Sequence, residues 1–128
     1  MTTRVVHFNV AKKDPKDYDL YIGRTRKNRP EKYGNLYSHK DDTLADFKVE
    51  SREHAVWAYT DWLVNSEDPR AKSILENIEM GKLNNRRLVC WCKPALCHGD
   101  ILADLVNGKV TVENLRELVE RKREQYTS

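Results

Sequence analysis

The sequence predicts an α/β fold, a small, mostly parallel sheet with helices on both faces and an added C-terminal helix. Three observations lead there. Short β-branched or aromatic runs alternate with longer stretches of helical period. The run at residues 86–91 leads through a short loop straight into a helix, the strand–loop–helix unit of parallel sheets. The 128 residues are 39% hydrophobic and 34% charged, which suits one domain over residues 1–128. That mixture excludes collagen-like, low-complexity and wholly disordered chains.

Residues 3–9, with Val5, Val6 and Phe8, read as the first strand. Asp14-Pro15 breaks the chain, and residues 19–23 read as a second strand ending at Gly23. Residues 24–50 have turn signals at Pro30 and Gly34-Asn35 but no period, the pattern of a long functional loop. Ser51 is a good N-cap, and Ala55, Val56, Tyr59, Trp62 and Leu63 follow at helical spacing. Arg52, Glu53, Thr60 and Asp61 lie outside that stripe. Asp68-Pro69 opens a second helix that buries Ile74, Leu75 and Ile78 and stops at Gly81. After the third strand, a helix carries Ile101, Leu102, Leu105 and Val106 and closes at Asn107-Gly108. Thr111 caps a last amphipathic helix with Val112, Leu115, Leu118 and Val119 inside. Its stripe suits packing on the domain or a homo-oligomer contact.

The 23 basic and 20 acidic residues leave a net charge of +3, less segregated than in most nucleic-acid binders. A nucleic-acid partner is therefore not expected. No apolar run reaches the ~18 residues of a membrane span, and the opening residues lack a secretory pattern. A cytoplasmic location is expected. The three cysteines, Cys90, Cys92 and Cys97, lie within eight positions, which argues against a disulfide framework.

The segment Cys90-Trp91-Cys92-Lys93-Pro94-Ala95-Leu96-Cys97-His98-Gly99-Asp100 concentrates the unusual chemistry. Strand alternation puts Cys90 and Cys92 on one face and Trp91 on the other. Cys97 and His98 fall at the start of the next helix, where unpaired N–H groups favour an anion. Three readings follow. In the first, the N–H groups of residues 97–100 hold a phosphate or carboxylate, with Gly99 allowing close approach and His98 or Asp100 orienting the ligand. In the second, Cys97 is a thiol nucleophile favoured by the helix start and by His98. In the third, three Cys and one His hold zinc, although the spacing Cys-x-Cys-x4-Cys-His is tight for that metal. Buried Cys90 and a purely electrostatic Asp100 are the plainer alternative. No cofactor is specified.

Tyr21-Ile22-Gly23-Arg24 ends a strand with a glycine and a guanidinium, a group able to pair bidentately with phosphate. Arg26, Lys27, Arg29 and Lys32 make a basic loop, and Tyr33-Gly34-Asn35 could fold over a site. Together with residues 52–63 and the cysteine segment, these motifs resemble the phage and bacterial family called domain of unknown function 4326. The resemblance covers about residues 19–107 and leaves residues 111–126 as a helical extension. It is also distantly similar to domain of unknown function 488, which implies a Rossmann-like fold that binds nucleotides and their derivatives. One departure is Tyr33-Gly34-Asn35-Leu36-Tyr37, where the family usually has Trp-Gly-Asn-Pro-Phe.

The expected function is binding of a phosphorylated, nucleotide-like small molecule, with or without processing it. The pocket lies between Gly23-Arg24 and residues 97–100, with Tyr21, Asn35 and Cys92 alongside. Arg24 pairs with the anion. In a reaction, Asp100 or His98 is the acid or base and Cys97 the nucleophile. The rivals are a non-enzymatic phage anti-defence protein that sequesters a nucleotide signal, a zinc-stabilised interaction module, and a nucleic-acid binder using the basic loop.

Overall fold

The computed structural model describes residues 2–23, 33–34, 37–38, 47–49, 51–91, 93 and 95–127. In chain order the elements are β1 (Arg4–His7), α1 (Phe8–Lys13), β2 (Asp19–Tyr21), β3 (Tyr37–Ser38), β4 (Phe47–Lys48), α2 (Arg52–Asn65), α3 (Pro69–Glu79), β5 (Arg87–Cys90), α4 (His98–Val106) and α5 (Val112–Thr127). The α/β class is as expected. The main sheet is wholly parallel, in the order β1-β5-β2, with Val5 and Leu20 both in register with Leu88.

Strand β5 is central, paired with β1 on one side and β2 on the other, and all four of its residues are buried. Its side chains alternate. Leu88 and Cys90 join the main core with Tyr59, Leu63, Ile74 and Leu102, drawn from α2, α3 and α4. Arg87 and Val89 turn to the opposite face, where α1 lies. There Arg87 forks onto Asp19, with Nε to Oδ1 at 2.6 Å and Nη2 to Oδ2 at 2.9 Å, and reaches the Asp14 carbonyl at 2.9 Å. Each of these two side chains is the first residue of its strand, so the pair clamps the amino ends of β2 and β5.

The first strand is shorter than residues 3–9. It stops at His7, whose Nδ1 accepts from the Asn9 N–H at 3.0 Å, and α1 begins at Phe8. Histidine is an unusual N-cap, and a six-residue helix shows no period to read. The second strand ends at Tyr21 rather than Gly23. Within residues 24–50, β3 and β4 pair in parallel, Tyr37 with Phe47 and Ser38 with Lys48. Two-residue strands carry no alternation, so neither was visible in the sequence.

Helices α2 and α3 start as expected, at the Ser51 and Asp68 caps, which accept from His54 N–H at 3.0 Å and Arg70 N–H at 2.9 Å. The five residues of the α2 stripe are all buried. So is Thr60, expected outside, whose hydroxyl donates to the Val56 carbonyl at 2.7 Å. The reason is α5, which packs on the far side of α2. Trp57 Nε1–H donates to the Val119 carbonyl at 3.1 Å, and Tyr126 lies against Trp57 and His54. The last helix packs on the domain through α2.

Candidate ligand-binding edge

The carboxyl ends of β1, β5 and β2 carry two different constructions, one on each face of the sheet. The first is the start of α4. Cys97 is its N-cap, with extended backbone (φ −140°, ψ 147°). Its Sγ accepts from the Gly99 N–H at 3.3 Å, and its own N–H donates to Asp100 Oδ2 at 3.1 Å. This is a reciprocal capping box with a thiol in the place of the usual hydroxyl. Asp100 N–H bonds back to the Cys97 carbonyl at 3.0 Å. Three of the N–H groups that sequence reasoning offers to an anion thus have partners within the chain. The other oxygen of Asp100 pairs with Lys93. Burial opposes the Lys93 charge, but Asp100 and the two nearby thiols outweigh it and hold the ammonium above its ordinary range.

His98 is 5% exposed, and its Nε2 lies 2.9 Å from the Ile22 carbonyl oxygen. A carbonyl only accepts, so in the neutral ring Nε2 carries the hydrogen and Nδ1 is the acceptor, 3.7 Å from Cys97 Sγ. Tyr59 meets the imidazole edge-on at 4.8 Å. Burial pushes the Tyr59 phenol well above its usual value, so it stays a neutral donor, to the Tyr33 carbonyl at 3.2 Å. His98 therefore ties α4 to the end of β2. Gly99 allows the same contact to be close. A Cβ there would sit 2.5 Å from Ile22 Cδ1 and 3.2 Å from Val5 Cγ2. Its close approach is to the sheet.

The second construction is aromatic. Trp91 follows β5 and stacks on Phe8 with centroids 4.3 Å apart and planes 18° apart. His7 meets its edge at 5.7 Å. Its Nε1–H donates to Tyr21 Oη at 3.1 Å, and Tyr21 meets Phe8 at 6.3 Å, nearly perpendicular. Gly23 makes room for this arrangement, because a Cβ there would lie 2.4 Å from Tyr21 Oη. Although held on three sides, Trp91 is 54% exposed.

Of the expected site residues, Tyr21 and Gly23 belong to the aromatic group. Cys97, His98 and Gly99 are buried at the start of α4, and Asp100 is partly exposed beside Lys93. Arg24, Asn35 and Cys92 lie outside the described residues. Among the described residues no three His, Cys, Asp or Glu side chains gather as a metal site. Sequence reasoning passed over His7, Phe8 and Trp91 as site residues. The available signal was an aromatic ring at the end of each strand, which becomes one cluster only when the strand order is known.

These features define a small α/β domain on an all-parallel sheet with an aromatic carboxyl edge. The chain belongs to the family described as domain of unknown function (DUF4326), whose model matches residues 6–108. The match starts earlier than residue 19, inside β1, and stops before α5. No curated protein and no solved structure matches the chain.

Proposed function

We propose that the protein binds an anionic small molecule bearing a planar ring, of the nucleotide kind, at the carboxyl edge of β1-β5-β2. Ligands of open parallel sheets sit beyond the carboxyl ends of the strands, and this would be a Rossmann-like use of that edge. The observation that carries the reading is Trp91, half-exposed yet oriented by a stack, an edge contact and a hydrogen bond. A flat indole already fixed in place can stack a base without first losing its own rotamer freedom. Such stacking is worth roughly 1–3 kcal/mol per base. Arg24, the residue after Gly23, is the group expected to pair with the phosphate.

The burial of Cys97 and His98 favours binding without turnover, because both hold α4 in place rather than face solvent. Sequestration of a nucleotide signal is the form of the function this suits. The experiment is calorimetric titration of the full chain with a panel of mono- and dinucleotides and their nucleosides. Trp91→Ala should weaken the best ligand by about one to two orders of magnitude, and Trp91→Phe should retain most of the affinity. Arg24→Ala should weaken nucleotides and leave nucleosides unchanged. Absence of binding across the panel, or a Trp91→Ala variant with wild-type affinity, would overturn the reading.

A further inference from the structure

We propose that Cys90 and Cys97 form a reversible dithiol–disulfide couple between sheet and helix, oxidised by hydrogen peroxide. Their sulfurs are 3.3 Å apart, and both residues are 1% exposed. The pair is held from both sides by rigid structure. Cys90 closes the central strand in register with His7, and Cys97 is fixed by the capping box of α4. A disulfide needs about 2.05 Å between sulfurs, so the contact must tighten by a small movement of two side chains already facing each other. Gly99 N–H donates to the Cys97 sulfur at 3.3 Å, and the acceptor nitrogen of His98, set by the Ile22 bond, lies 3.7 Å from it. The thiolate is the reactive form, and helix starts are where reactive thiols gather.

The balance is simple. The Cys97 sulfur attacks one peroxide oxygen, the O–O bond breaks, and the departing hydroxide takes a proton and leaves as water. The resulting sulfenic acid is attacked by the Cys90 sulfur. The S–O bond breaks, the S–S bond forms, and the released hydroxide takes the Cys90 proton as a second water. Two electrons pass from the two sulfurs to the peroxide. The adjacent thiol, 3.3 Å away, captures the sulfenic acid before a second peroxide can reach it.

The test uses the reduced full chain, exposed to hydrogen peroxide while folded, then treated with catalase, unfolded and alkylated. The expected result is one alkylated thiol in place of three and, before alkylation, a mass lower by two hydrogens. Dithiothreitol should restore all three. Peptide mapping without reductant should join Cys90 to Cys97, and Cys92→Ser should keep that bridge. A parallel sample oxidised in urea should bridge more slowly and with mixed pairings. Three alkylated thiols, a bridge through Cys92, a bridge between two chains, or equal rates in the folded and unfolded samples would overturn the proposal.

Discussion

The two faces of the β1-β5-β2 sheet differ in how completely they are covered. On one, α4 lies close against β1 and the end of β2 through Gly99, and its N-cap Cys97 and first residue His98 are buried together with Cys90. On the other, the sheet carries the six-residue α1, and the rings of Phe8, Tyr21 and Trp91 reach the carboxyl edge with Trp91 half in solvent. The residues with the most reactive chemistry are thus on the dry face, and those with the most contact area for a ligand are on the open one. Reactivity of residue types and access to a ligand are separate properties. Here they fall on opposite sides of one strand.

The contrast can be broken most directly at Gly99. Replacement by Val places side-chain atoms into Ile22 and Val5 and should cost about 1–3 kcal/mol of stability. An unchanged urea midpoint would show that α4 does not need its close seat. On the open face, Trp91→Ala should change stability by less, under about 1.5 kcal/mol, the scale of a lost aromatic pair. Its main effect should be on ligand affinity. A collapse of the thermal midpoint in this variant would mean that the aromatic cluster is core, erasing the distinction between the faces.

Acid titration sharpens the same comparison. Arg87 holds the Asp19 carboxyl below its ordinary value of 3.8, against the opposing effect of burial. A lowered native pKa supplies stability that is complete above the ordinary range and is lost as pH falls through the native value. The urea midpoint should therefore fall on acidification below about pH 4. Asp19→Asn should start lower at neutral pH and lose less on the way down. Parallel curves for the two proteins would remove this clamp from the acid response. The smallest expected effect is that of Gly23→Ala. It should push the Tyr21 ring aside and release Trp91 Nε1, leaving stability nearly unchanged while altering the tryptophan emission. Trp57 and Trp62 are buried elsewhere, so a change reports on Trp91. An identical spectrum would mean that Tyr21 does not orient the indole.

Much of the fold was legible where the signal is local. Ser51 and Asp68 announced α2 and α3 through side chains that cap N–H groups two or three residues away. The run at residues 86–91 announced a strand leading into a helix. The site was less legible. The cysteine segment falls at a strand–helix junction as expected, but the reciprocal bonding of Cys97 and Asp100 and the burial of Cys97 depend on the fold around them. The aromatic group was harder still, since Trp91 and Tyr21 are 70 residues apart.

The α/β class, the positions of α2 to α5, the strand near residues 86–91 and membership of the family were readable from local signals, since caps, period and motif act within a few residues. The strand order, the packing of α5 on α2 and the exposure of the aromatic edge came from long-range contacts. Those depend on contacts such as the two hydrogen bonds between Thr3 and Asn107, 104 residues apart, that fasten the start of β1 to the end of α4. Exposure is a property of what the rest of the chain covers, and no local pattern encodes it.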